Sequence, residues 1–216
     1  MRFWALACLI SAVAYCACEG ASARSVNVRA GRVFAERQMP LYGSTEPPIG
    51  HMQFCADHPA DCRPDRYGDV RVILTTGRRI ELERVNSEVN LAIKPVSDLV
   101  QYGVIEKWTY PDSGKGDCED YVLLKKRKLV ELGWPESALL ITVVRDENDE
   151  GHAVLTVRTD GGDLILDNKH SRILAWQKTP YTFIKRQSAL DPRRWDSLIP
   201  LQAAPTVAAA GTDARR

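Results

Sequence analysis

The sequence predicts an α+β domain in which helices come first and an antiparallel sheet follows. Three observations carry this. Residues Val85, Val89, Ile93, Val96, Leu99 and Val100 recur at helical spacing, and a second amphipathic stretch runs from about Asp117 to Leu132. After it come three short apolar runs, 138–144, 153–159 and 164–166, the last two separated by the turn residues Asp160-Gly161-Gly162. With 216 residues, 44% of them hydrophobic, the chain can bury one core of medium size but not two large ones. A net charge of +1 supplies no overall field for nucleic acid or anionic lipid, so nucleic acid is not expected as a partner.

The chain begins with Arg2, an apolar run from Phe3 to Ala17 and the small residues Ala21-Ser22-Ala23, the pattern of an export signal over residues 1–23. That apolar run is shorter than the ~20 residues a spanning helix needs, so a soluble periplasmic protein is expected. Residues 24–83 read as an N-terminal arm, residues 84–202 as the core, and the Ala-rich residues 203–216 as a disordered tail. In the arm, 70–74 and 79–82 are assigned to a hairpin, although the second half also allows a helix. Pro95 predicts a kink or a split in the first core helix, and Gly103 a stop.

Removal of the signal leaves three cysteines, Cys55, Cys62 and Cys118. The near neighbours Cys55 and Cys62 are expected to pair, closing a Pro- and Asp-containing loop that constrains the unfolded chain by about 2.5 kcal/mol. Cys118 is then the odd thiol, in the first turn of the second helix. Unpaired backbone N–H groups and the helix dipole favour a thiolate there. A small buried core cysteine is the plain alternative.

The hairpin register supplies the next step. A two-residue turn at Asp160-Gly161 sets Thr159 against Gly162, Arg158 against Asp163 and Leu155 against Leu166, so charges meet charges and apolar groups meet apolar groups. The same register makes His152 and Asp167 diagonal neighbours. A cysteine opening a helix, with a histidine and an orienting carboxylate on the sheet, is the constellation for thiol nucleophilic catalysis. Cys118 would attack an acyl carbon, His152 would move the proton, and Asp167 would fix the imidazole. His170 is the rival histidine, and a zinc site on these three residues is disfavoured because their spacing fits no compact metal motif. Disulfide exchange is disfavoured too, because six residues rather than two separate Cys55 from Cys62.

The blocks Gly116-Asp117-Cys118-Glu119-Asp120-Tyr121, Gly151-His152-Ala153-Val154-Leu155 and Leu164-Ile165-Leu166-Asp167-Asn168 resemble the bacterial transglutaminase-like cysteine proteinases. The resemblance runs over about residues 84–196 and takes in Trp108, Trp134, Tyr181 and Trp195. It implies a papain-like or transglutaminase-like core with the nucleophile helix packed on an antiparallel sheet, and triad roles for Cys118, His152 and Asp167. It implies a periplasmic cysteine endopeptidase acting on a surface or exported protein, with a membrane-protein recruiter or an inhibitor left open. Protein acyl transfer and a non-catalytic binding module on the same fold are the alternatives.

Two charged features remain. Asp117, Glu119 and Asp120 surround the nucleophile; they can be read as helix caps, yet negative charge there opposes thiol ionisation. A divalent cation would remove the conflict, and calcium suits carboxylate oxygens. The resemblance points the same way, since members of the family hold calcium on acidic residues beside the cysteine. Lys125 falls inside the apolar stripe, where it must either snorkel to solvent or pair with an acid of the sheet.

Overall fold

The computed structural model describes residues 37–64 and 67–200; the expected export signal and the expected tail lie outside them. Seven strands form an antiparallel sheet in the order β1-β9-β8-β4-β5-β6-β7. They are β1 (Ser44–Thr45), β4 (Leu139–Arg145), β5 (Gly151–Thr159), β6 (Gly162–Leu166), β7 (Leu174–Ala175), β8 (Thr182–Gln187) and β9 (Trp195–Ser197). A separate parallel pair joins β2 (Lys94–Pro95) to β3 (Lys115–Gly116). The helices are α1 (Ile49–Asp57), α2 (Thr76–Ala92), α3 (Asp98–Tyr102) and α4 (Cys118–Glu131).

Alternation along the central strands builds two cores. Leu139, Ile141, Leu155, Val157 and Leu166 pack with Leu82, Val85 and Val89 of α2 and Tyr121, Val122 and Leu129 of α4. Val144, Val154 and Ile165 turn the other way and meet Met39, Tyr181, Phe183 and Leu198. Burial of β5 on both faces explains why it reads as a nearly continuous apolar run. The expected β5–β6 register is present, with Thr159 opposite Gly162, Arg158 opposite Asp163 and Leu155 opposite Leu166.

The structure changes the arm. No hairpin forms over 70–82: Val72 makes only an isolated parallel bridge to Thr159, and Thr75 caps α2 by accepting the Arg78 N–H on Oγ1 at 3.2 Å. The Thr-Thr-Gly sequence is therefore a helix start rather than a turn between strands. Residue 84, taken above as the start of the core, falls inside α2, and Phe54 and Cys62 belong to the same core as Leu155. The first core helix is split at Pro95 into α2 and α3, and Gly103 ends α3 with a positive φ of 73°. Cys55 and Cys62 form the expected disulfide, and Cys118 is the free cysteine among the described residues. The second amphipathic stretch stops one residue short of Leu132, which is exposed just beyond the end of α4.

Candidate active site

The β2–β3 ladder positions the entrance to α4. Pairing of Pro95 with Gly116 brings the chain before Asp98 beside the chain before Asp117, and the Asp98 N–H donates to Asp117 Oδ2 at 3.0 Å. Gly116 has no room for a side chain, since a Cβ there would stand 2.5 Å from Asp120 Oδ2. Asp117 occupies the N-cap position of α4, yet its side chain makes no capping hydrogen bond. Capping is therefore not what Asp117 does.

Cys118 is half-buried at the start of α4 and shares a cleft of about 320 Å³ with His152. Pro95, Val96 and Ser97 line the cleft from the β2 side, and Asn168 and Lys169 from the segment after β6. A wider groove of about 670 Å³ lies around Val130 and Trp134, near the other end of α4, and none of the three predicted triad residues lines it.

His152 and Asp167 meet as the register predicts. His152 Nε2 lies 2.9 Å from Asp167 Oδ1, with both side chains buried. Asp167 also accepts from the Lys169 N–H at 3.0 Å and from the Tyr181 hydroxyl. Burial opposes ionisation of this carboxyl, but the hydrogen bonds from His152, Tyr181 and Lys169 outweigh it and hold Asp167 below the usual carboxylate range. Asn90 on α2 donates to the Asp167 carbonyl at 2.8 Å, which fixes the backbone as well. Lys169 pairs with Asp146 and ties the β4–β5 turn to this wall of the cleft. His170 makes a ring contact with Tyr181 but does not join the pair.

The thiol is engaged elsewhere. Cys118 Sγ donates to Glu119 Oε2 at 3.2 Å. Burial pushes the thiol up, the Glu119 and Asp117 charges push it further, and the Ala153 N–H opposes them. Glu119 itself is raised to about 9 by burial and by Asp117. Thus the carboxylates oppose thiol ionisation, as the sequence suggested.

Asp98, Asp117 and Glu119 place carboxylate oxygens within 4.8 Å of one another. Asp117 Oδ1 is buried without a hydrogen-bond partner among the described residues, and burial also raises Asp98. Three converging oxygen donors with an open lone pair fit a hard divalent cation. Asp120, grouped with Asp117 and Glu119 from the sequence, is not in this triplet: its Oδ1 accepts from the Thr109 N–H at 3.0 Å and its Oδ2 is buried against Gly116. Burial raises Asp120 to about 7. Sequence reasoning missed Asp98, which enters only through the β2–β3 pairing of segments about twenty residues apart.

Comparison with known proteins gives three findings. No curated protein matches the chain. Among solved structures, Legionella pneumophila LapG aligns in an EGTA-treated form with 30% identity over 50% of this chain and 62% of that one, at a TM-score of 0.45. Its calcium-bound form aligns with 24% identity over 60% and 75% of the two chains, at a TM-score of 0.48. The chain thus spans less than two thirds of the first of these. The family model for bacterial transglutaminase-like cysteine proteinases matches residues 41–202, about three quarters of the sequence, and the chain belongs to that family.

Proposed function

We propose that the protein is an exported cysteine endopeptidase that cleaves a protein substrate with Cys118, His152 and Asp167. The observation that carries this reading is the 2.9 Å contact of His152 Nε2 with Asp167 Oδ1 beside a cleft that Cys118 shares. Engagement of Nε2 leaves Nδ1 as the ring nitrogen that exchanges a proton with the thiol. Cys118 turns from Glu119 toward His152 and gives it the thiol proton; the sulfur then attacks the substrate carbonyl carbon. As the C–N bond breaks, His152 returns the proton to the leaving amine and a thioester remains. His152 next takes a proton from water, the resulting hydroxide forms the new C–O bond, and as the C–S bond breaks the departing sulfur takes that proton back from His152. Asp167, held ionised, keeps the imidazole oriented and stabilises its charged form.

Asp98, Asp117 and Glu119 are the residues that would hold calcium. A cation bound there would supply positive charge beside the thiol and would compete with it for the Glu119 carboxylate. The N-terminal signal pattern supports export to the periplasm, and no helix among the described residues is long and apolar enough to cross a membrane.

The test compares exported and surface proteins of cells carrying the wild-type protein or Cys118→Ala, in the presence of a labelled primary amine. A substrate cut only by the wild type, without amine incorporation, is the expected result. Incorporation of the amine without cleavage would instead identify acyl transfer. Identical patterns from both proteins would refute catalysis by Cys118.

A further inference from the structure

We propose that Asp146 and Lys169 are positioning residues of the triad: their ion pair locks the turn that leads into His152 to the turn that follows Asp167, and so sets the imidazole in the cleft. The inference rests on the triad reading given above.

The backbone ladder does not do this by itself. Pairing of β5 with β6 ends at Leu155 opposite Leu166, three residues after His152 and one before Asp167. Beyond that point β5 is held to β4 on its other side, down to Gly151 opposite Arg145, while α2 holds the Asp167 carbonyl through Asn90. His152 and Asp167 thus stand on segments that are secured to different neighbours. Among the described residues, two side-chain links join those segments here: the 2.9 Å contact of His152 with Asp167, and the pair of Lys169 with Asp146.

A carboxylate closes each turn in the same way. Asp146 Oδ1 accepts from the Asn148 and Glu150 N–H groups, each at 2.9 Å, and the Asp146 N–H donates to the Glu150 carbonyl at 2.9 Å. Past β6, Asp167 Oδ1 accepts from the Lys169 N–H at 3.0 Å, a closure onto the backbone two residues on. Lys169 joins the two turns, since its amide serves the Asp167 carboxylate and its ammonium the Asp146 carboxylate. The contacts close a ring from His152 through Asp167, Lys169 and Asp146 to Glu150, and the chain completes it through Gly151.

Burial shows that this is more than a surface ion pair. The Asp146 side chain is 0% exposed, whereas Lys169 is 37% exposed and lines the cleft with Cys118 and Gly151. A buried carboxylate needs its charge met, and every partner of this one lies in the two turns. Glu150 and Lys169 each stand two residues from a triad member. A displacement on the order of 1 Å at a catalytic group costs about 10²-fold in rate, so slack at this link is felt at the imidazole.

The experiment uses the full chain in excess calcium chloride, with p-nitrophenyl acetate as the acyl probe, Cys118→Ala as the blank, and rates referred to the fraction folded by circular dichroism. Lys169→Met keeps the stem and the backbone N–H but removes the ammonium. Its acylation rate constant should fall about tenfold with KM within twofold, and Lys169→Arg should recover about half of the wild-type rate. Asp146→Asn should lose as much as Lys169→Met, and the double variant no more than either, because both break one link. The proton resonance of the His152 Nε2–H, assigned by its absence in His152→Ala, should shift in Lys169→Met. Unchanged acylation in Lys169→Met overturns the proposal. So does a raised KM at an unchanged rate constant, which would make Lys169 a substrate contact, and so does loss of the fold, which would make the pair a support of the structure alone. Full activity in Asp167→Asn would instead overturn the triad reading itself, whatever Lys169→Met does.

Discussion

Strand β6 has a buried aspartate at each end, and the two have opposite company. Asp163, near its start, accepts from Arg71 at 2.8 Å on one oxygen and from Arg186 at 3.1 Å and the Met39 N–H at 2.9 Å on the other. Arg158, its cross-strand partner, pairs with Asp69. Asp167, just past the end of β6, meets an imidazole and a phenol instead. Guanidinium groups do not give up protons at any pH the protein meets, so the Asp163 cluster can only hold strands together. Imidazole exchanges a proton near neutrality, so the Asp167 end can do work. What separates the structural aspartate from the proposed triad aspartate is the proton affinity of their partners, since the burial of the two is alike.

The largest expected effect breaks the functional end. Cys118→Ala, His152→Ala and Asp167→Asn should each lower turnover by about 10³-fold or more while the melting temperature changes little, and combining them should not multiply the losses. His170→Ala should be mild. Steady-state kinetics on the identified substrate, with thermal melts alongside, checks both halves; a fully active His152→Ala would hand the role to His170.

The structural end should fail differently. Asp163→Ala leaves Arg71 and Arg186 without their carboxylate, and breaking a buried pair on one side costs about 3–5 kcal/mol. Urea unfolding should show that loss, while the fraction that remains folded keeps the wild-type rate. A variant as stable as the wild type would mean that the arginines find other partners.

These two ends were unequally legible in the sequence. The contact of His152 with Asp167 could be read because a two-residue turn at Asp160-Gly161 fixes every pairing of β5 with β6. Asp163 was read only as a partner of Arg158, because Arg71 and Arg186 reach it from segments far away in the chain. Asp98 was invisible for the same reason. The arm is ambiguous in the sequence because Thr75 can open a helix or end a turn, and packing of Leu82, Val85 and Val89 against the sheet selects the helix that the second half also allows. Strands β8 and β9 went unseen, their residues being only partly apolar: β8 carries Lys185, Arg186 and Gln187.

A third buried group tests the comparison from the acid side. His51 is 1% exposed between Trp195, whose indole N–H lies 3.3 Å from Nδ1, and Gln187. Burial, then the Lys126 charge, lowers it to about 3. Its neutral form is what the fold accepts, so its contribution is complete above the unfolded value of about 6.5 and is lost as pH falls toward 3, with an upper bound of about 5 kcal/mol. Denaturant titrations between pH 7 and 4 should show stability dropping in the wild type and a flatter profile in His51→Phe. Parallel profiles would mean that His51 does not set the acid limit.

Glu119 works in the opposite direction and gives the smallest effect. Its folded value, raised to about 9 from about 4.5, means that the folded chain favours the protonated carboxyl. That stability is fully present below 4.5 and is lost as pH rises through 9, because the unfolded chain releases the proton first. A cation held by Asp98, Asp117 and Glu119 reverses the preference by favouring the ionised form. Calcium should therefore stabilise the wild type at pH 8 by about 2.7 kcal/mol at a hundredfold excess over its Kd. Glu119→Gln keeps an acceptor for the Cys118 thiol but removes the charge. In chelator at pH 8 it should be more stable than the wild type, and it should gain little from calcium. The Asp163 cluster provides the control, since Asp163→Ala should respond to calcium as the wild type does. An equal calcium response in Glu119→Gln would place the cation elsewhere and leave Glu119 as a partner of the thiol alone.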